Sequence, residues 1–235
     1  MYSRLISLKN KFFDSLKFDK ERKIRHHLFK INSNNENNFF DYGVGYFYQS
    51  SYSLNINGLR DSKFRKDIIN IDNFTKKKRI LDIGTNSGFL LLDLENNFHY
   101  VLRVDYNPKL IEIANAAKNY LNITNIEFKV ENFETVVINE KFDVILSLAN
   151  HHTYDQGISS TKNYFEKITS LLNKDGILVL EGHHPQIESE KDFQEILDHL
   201  SSKYEIIDKK KYNINNFFDN GRNLTILKKT TSPMK

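Results

Sequence analysis

A chain of 235 residues with 39% hydrophobic and 27% charged content can bury a sizeable core, and its composition excludes disordered and fibrous classes. Cysteine is absent, which excludes disulfides, thiolate metal centres and a cysteine nucleophile, so any metal must use histidine and carboxylates. The net charge of +4 is mild, and the lysines at 76–78, 209–211 and 228–229 read as a solvated rim in preference to a polyanion-binding face.

The first 30 residues mix apolar with charged side chains and contain no continuous apolar core of a signal peptide. No run of about 18 apolar residues follows anywhere, so no membrane span or membrane partner is expected and the chain is expected in the cytoplasm. Residues 3–30 show helical periodicity, with Leu5, Leu8, Phe12, Phe13, Leu16 and Phe18 on one side. Most aromatic residues are expected in the core. The Asn-rich stretch 31–38 reads as a loop. An aromatic segment with Gly43, Gly45 and Gly58 follows without a clear assignment, and a basic helix begins near Ser62. Residues 1–77 are therefore expected to form an N-terminal helical and aromatic lid.

From Lys78 onward strands and helices alternate. Strands are predicted at 79–83, 99–104, 125–130, 142–148 and 176–181, with helices at 87–95, 107–121, 159–172 and 189–201. This is the pattern of an α/β, Rossmann-like doubly wound sheet covered by helices on both faces. The tail departs from it: Tyr204–Lys209 and Leu224–Lys228 read as two strands with no helix between them, a pair on the sheet edge. A domain over 78–230 is expected.

The segment RILDIGTNSGF, Arg79–Phe89, joins an apolar strand ending in an acid to a helix through two glycines four apart, Gly84 and Gly88. Such a loop lets backbone approach a ligand and presents helix N-terminal N–H groups to it, so a nucleoside-like ligand is expected. In a doubly wound sheet the ligand lies beyond the carboxyl ends of the strands. The polar residues there are Asp82 and Gly84, Asp105, Glu131–Phe133, Ser147–His152 and Glu181–His184. Asp105 is placed to take both hydroxyls of a ribose, or alternatively to cap the helix that begins near Pro108. Asn132 and Phe133 can read adenine, or form an ordinary turn. A nicotinamide dehydrogenase is the competing nucleotide reading, but the loop lacks the third glycine in its register.

The motifs LDIGTNSG, VDYN, ENF, FDVILSLANHH and LLNKDGILVLEG resemble, in order and spacing over about residues 78–229, those of class I S-adenosylmethionine-dependent methyltransferases. The resemblance implies a sheet of seven strands, the last antiparallel. It also implies that Asp82, Gly84 and Gly88 border the methionine part of the cofactor, that Asp105 holds ribose, that Asn132 and Phe133 hold adenine, and that Ser147 lies on the cofactor side. Asn86 stands where the family has its middle glycine; asparagine tolerates left-handed backbone, so the loop is expected to keep its shape. Upstream, NINGLRDSKFR is similar to a stretch in tRNA wobble-uridine carboxymethyltransferases and in sugar- and capsule-associated methyltransferases. That likeness implies that Arg60 or Arg65 clamps the cofactor carboxylate, the alternative being surface basic residues on a helix.

Four of the eight histidines form two pairs past neighbouring strands, His151–His152 and His183–His184. An imidazole with an ordinary pKa of about 6.5 suits removal of a proton from an acceptor hydroxyl during methyl transfer. Each pair is expected to give one member to the cleft. A second reading uses His151 or His152, Asp155, Glu181 and His183 or His184 as ligands of a divalent metal such as Mn, Fe, Ni or Zn; a third leaves the histidines structural. Tyr48, Gln49 and Tyr154 are candidate acceptor contacts. The expected activity is O-methylation of a small polar acceptor, such as the sugar, phosphate or phosphoramidate group of a surface-polysaccharide precursor, with a tRNA-modifying enzyme as the alternative. A catalytically silent scaffold is the non-enzymatic reading.

Overall fold

A computed structural model describes residues 2–33, 46–94, 98–151, 161–213 and 220–230. His152, Tyr154, Asp155, Gly43 and Gly45 lie outside the described residues. The amphipathic N-terminal segment forms two helices, α1 (Tyr2–Leu16) and α2 (Arg22–Ser33). The aromatic segment that periodicity left unassigned folds into two short parallel strands, β1 (Phe47–Gln49) and β2 (Gly58–Arg60), in register Phe47 to Gly58 and Gln49 to Arg60. Helices α3 (Ser62–Ile69) and α4 (Asp72–Thr75) lead into the main sheet. The Asp61 carboxylate caps α3 by accepting from the Phe64 N–H at 3.1 Å.

The sheet alternates strand and helix: β3 (Arg79–Ile83), α5 (Phe89–Leu92), β4 (Tyr100–Asp105), α6 (Pro108–Tyr120), β5 (Ile126–Val130), β6 (Phe142–Leu148), α7 (Thr161–Leu171), β7 (Leu172–Glu181) and α8 (Glu190–Leu200). The strand pair β8 (Tyr204–Tyr212) and β9 (Arg222–Lys229) closes it. Local chemistry fixes the helix starts. Asn107 caps α6 with Pro108 at its first turn, and Ser189 and Asp192 form a reciprocal capping box on α8.

Seven strands pair in the order β5-β4-β3-β6-β7-β9-β8. The first five are mutually parallel; β9 runs antiparallel between β7 and β8, which places β8 at the edge. Alternate side chains along each strand enter opposite layers. Ile80, Val101, Val144 and Val179 join α2, α5 and α6 in one apolar cluster, while Leu81, Leu102, Ile145 and Leu178 join α7 and α8 in the other. Strand direction reverses its lateral order between β3 and β6, so the crevice above those two strand ends is the switch point at which a doubly wound sheet binds its ligand.

Three expectations need correction. Helix α5 is a single turn, Phe89–Leu92, where 87–95 was expected: Asp93 beyond it accepts backbone N–H groups of Tyr52 and Ser53 at 2.9 and 3.0 Å, tying the chain to the β1–β2 segment. Strand β7 begins at Leu172, four residues before the expected start, because Leu172 pairs with Phe142 across a register shift. Finally, the apolar side of α1 faces outward. Its polar side docks instead: Asn10 donates to the Gly58 carbonyl at 3.1 Å, Asp14 accepts from the Asn57 side chain and backbone, and Lys17 donates to the Asn55 carbonyl at 2.8 Å.

Candidate active site

The glycine loop is held from below by Arg103. This arginine is directly across the ladder from Asp82, and its guanidinium donates to the Asp82 carboxylate at 3.1 and 2.7 Å and to the Gly88 carbonyl at 2.5 Å. The ring of Phe128 lies 4.9 Å under it. Asp82 also accepts from the Thr85 hydroxyl at 2.8 Å. Both partners are buried, so Asp82 acts on the loop as an internal anchor rather than presenting its carboxylate to the cleft.

Gly84, Asn86 and Gly88 all take left-handed backbone, with φ of +66°, +58° and +75°. A Cβ on Gly84 would stand 2.9 Å from Nδ2 of Asn150, and one on Gly88 2.7 Å from the Phe128 ring, so neither position admits a side chain. Asparagine adopts this conformation at lower cost than other residues with a Cβ, which is how the loop keeps its path at 86.

Gln49 of β1 is buried against the same loop. Its amide donates to the Thr85 carbonyl at 3.2 Å and its carbonyl accepts from the Phe89 N–H at 3.0 Å. The residue expected to touch an acceptor is therefore a two-point clamp on the loop and on the start of α5. Phe47 reinforces it by packing 5.4 Å from Phe89.

Asp105 sits at the end of β4 between the glycine loop and the turn into α6: Oδ2 accepts from the Asn86 N–H at 2.9 Å and Oδ1 from the Asn107 N–H at 3.0 Å. The helix-capping role considered for it belongs to Asn107, whose side chain accepts from the Lys109 N–H at 3.0 Å. Burial pushes the Asp105 carboxyl up to about 6, against the pull of those two N–H groups. Beyond β5, Asn132 is exposed and its side chain accepts from the Glu134 N–H at 2.9 Å, forming a turn. Phe133 has no exposed surface. Its ring packs 5.4 Å from Tyr164 in the α7 layer, with the Lys167 ammonium 4.9 Å above it, so it supports the cleft floor without facing a base.

At the end of β6 the Ser147 hydroxyl lies 2.8 Å from Oδ1 of Asn150 and 2.9 Å from the Tyr164 hydroxyl, entirely inside the protein. Asn150 in turn donates to the Ile83 carbonyl, joining the ends of the two central strands. Ser147 is thus part of the scaffold beneath the loop.

Glu181, expected to be catalytic or a metal ligand, is neither in this geometry. It is buried at the end of β7, where Oε1 accepts from Arg60 at 3.0 Å and lies 3.7 Å from Arg222, and Oε2 accepts from Arg65 at 2.7 Å. Burial alone would raise its carboxyl, but the guanidiniums of Arg60, Arg65 and Arg222 outweigh that and hold it far below the usual carboxylate range. The two arginines expected to clamp a cofactor carboxylate are engaged here. Arg60 also reaches the Tyr212 hydroxyl at 3.3 Å and stacks over the Tyr48 ring at 5.7 Å, so Tyr48 belongs to this cluster. Both Glu181 oxygens are taken, and among the described residues no group of three His, Asp or Glu is placed to hold a metal ion. Glu181 is therefore engaged elsewhere, while His152 and Asp155, the other ligands of the metal reading, lie outside the described residues.

Among the described histidines, one from each pair meets the other. The rings of His151 and His183 meet edge to face at 4.9 Å, while His184 accepts from the Gln186 N–H in a turn. His151 is 1% exposed, and its Nε2 lies 2.7 Å from Oε1 of Glu188, whose other oxygen accepts from the His183 N–H at 2.8 Å. Glu188 gave no signal in the sequence; it lies in the turn before α8, outside every strand end. Asn150 and Arg103 were visible only as polar residues in or beside apolar strands.

The profile of the family described as Methyltransferase domain matches residues 74–228. The malonyl-[acyl-carrier protein] O-methyltransferase of Bacillus cereus is 28% identical over 135 residues, 56% of this chain and 48% of that protein, so the chain spans about half the length of that relative. The ribosomal RNA small subunit methyltransferase G of Legionella pneumophila is 31% identical over 148 residues, covering 58% of this chain and 65% of the relative. Among solved structures, the N-methyltransferase NodS from Bradyrhizobium japonicum, in complex with S-adenosyl-L-homocysteine, superposes with a TM-score of 0.62 at 12% identity, over 88% of this chain and 98% of that one.

Proposed function

Because the chain belongs to the methyltransferase-domain family, we propose that it is an S-adenosylmethionine-dependent enzyme that methylates an oxygen of a small polar acceptor, with His151 and Glu188 as the proton-accepting unit. The observation that carries the cofactor half is Asp105: a buried carboxylate at the end of β4 that accepts one N–H from Asn86 of the left-handed glycine loop and one from Asn107 at the start of α6. Gly84, Asn86 and Gly88 would lie along the donor, Asp105 would take the ribose hydroxyls, and Asn132 would border the base. S-adenosylmethionine supplies an electrophilic methyl group on a sulfonium.

The remaining chemistry is this chain's own. Donation of His151 Nε2–H to Glu188 fixes the tautomer and leaves Nδ1 as the basic nitrogen. An acceptor hydroxyl that gives its proton to Nδ1 creates an imidazolium beside the Glu188 carboxylate, in a site where low exposure strengthens that charge pair. Oxygen as the acceptor atom is supported by this base, since a thiolate or an activated carbon needs it less.

Calorimetry with S-adenosylhomocysteine tests the cofactor half, and transfer of labelled methyl to sugar nucleotides, phosphoramidates, malonyl thioesters and tRNA tests the acceptor half. The expected results are binding and turnover on a small oxygen acceptor. Absence of binding overturns the whole reading; turnover confined to tRNA overturns the acceptor class.

A further inference from the structure

We propose that α1 is a docking helix for an anionic lipid surface, a role beyond methyl transfer and independent of it. Helices of a folded protein turn their apolar stripe inward. Here Asn10, Asp14 and Lys17, spaced i, i+4, i+7, form the docked strip, and the opposite side carries Leu5, Leu8, Phe12 and Leu16, spaced i, i+3, i+7, i+11, with Phe13 beside them. These five and Phe18 are between 50% (Phe13) and 79% (Phe18) exposed. Polar anchors hold α1 in place while it presents large apolar side chains outward, an arrangement that marks a binding face.

The charges identify the occupant. Residues 1–30 hold nine lysines and arginines against three acids. All three acids are turned inward or paired: Asp14 is buried and bridged to Lys17 at 2.7 Å, Asp19 is paired with Arg25 at 2.6 Å, and Glu21 is buried. Lys9, Lys11, Lys20, Arg22, Lys23 and Lys30 are exposed. The Arg22 guanidinium lies 4.3 Å over the exposed ring of Phe18. A second copy of this chain would offer an apolar face but the same positive charge, and the two would repel. A nucleic acid would offer phosphates but no phase for Phe12 and Leu16. An anionic bilayer offers both, with acyl boundary for the stripe and headgroups for the flanking cations. Fifteen residues make a helix of about 22 Å, shorter than a bilayer core of about 30 Å, so α1 would lie in the interface. No helix among the described residues is long and apolar enough to cross a membrane.

The test sediments the full chain with vesicles of phosphatidylcholine alone or with about 30% phosphatidylglycerol. Binding is expected on the anionic vesicles only, and release in about 0.5 M salt. The variant Leu8→Ser/Phe12→Ser/Phe13→Ser should lower the partition coefficient about tenfold or more, and Lys9→Glu/Lys11→Glu should weaken it on anionic vesicles. Both should keep the parent's circular dichroism and S-adenosylhomocysteine affinity, because every altered side chain is exposed. Failure to sediment with anionic vesicles overturns the proposal, as does a triple variant that binds like the parent. A solution dimer that the triple variant disperses, without lipid binding by either, assigns the face to a second copy instead.

Discussion

Asp105 concentrates the consequences of burial in one side chain. A folded-state value near 6, above the ordinary 3.8, means that its protonated form favours folding below the lower value and that this contribution is lost as pH rises through 6. Ribose hydroxyls donate to the ionised form, so cofactor affinity should run the other way: the calorimetric Kd for S-adenosylhomocysteine should rise about tenfold per pH unit below about 6. Asp105→Asn should weaken binding and flatten that dependence. At the base, His151→Ala should lower kcat about 10²–10⁴-fold with little change in cofactor Kd, and Glu188→Gln should lower kcat by less, because the imidazole stays but its charge partner is lost. An unchanged kcat in His151→Ala would assign the pair to structure. Gln49→Ala should raise the KM for S-adenosylmethionine several-fold while sparing kcat, since one side chain of about 1–2 kcal/mol hydrogen-bonding worth holds the loop at both ends. The place of Asp105 at the end of β4 was legible because an acid closing an apolar run marks a strand end. Gln49 was noticed and misassigned: its partners are backbone groups 36 and 40 residues away, a distance over which sequence spacing carries no geometry.

Among the elements, β7 shows how one residue joins several. Glu181 ends it, and its three arginines come from β2, α3 and β9, so a single carboxylate ties the N-terminal segment to the antiparallel end of the sheet. Removing it leaves buried guanidiniums without their anion, and Glu181→Ala should cost about 3–5 kcal/mol in urea unfolding. Its carboxyl is held below the ordinary 4.5, so the stabilisation is present above that pH and declines as pH falls toward the folded value; the Glu181→Ala penalty should shrink in acid. The elements themselves were largely legible. Strands β3 and β6 coincide with the runs at 79–83 and 142–148 because buried parallel strands are written as near-continuous apolar runs bounded by turns. The β1–β2 pair was not: strands of three residues contain too few alternations to register.

At the scale of the whole molecule, the two units expected from the change of pattern at residue 78 share a core. Ile24, Leu28, Phe47 and Leu54 pack in one cluster with Ile80, Val101 and Val144, so the segment before the sheet has its apolar cover in common with it. A fragment limited to residues 74–228 should therefore fail to give a cooperative melting transition, whereas the full chain should unfold in one; a stable fragment would show the two parts to be separable. The sequence by itself determined the alternating strands and helices, the glycine loop and the acid that ends β4 at 105, because each is a local pattern of periodicity or turn chemistry. Only the tertiary structure decided that Glu181 is a buried counter-ion, that Glu188 is the partner of His151, and that α1 turns its apolar face outward. Those outcomes depend on which distant groups meet in a low-dielectric interior, and pairing across more than a hundred residues, as between Arg60 and Glu181, leaves no trace in local spacing.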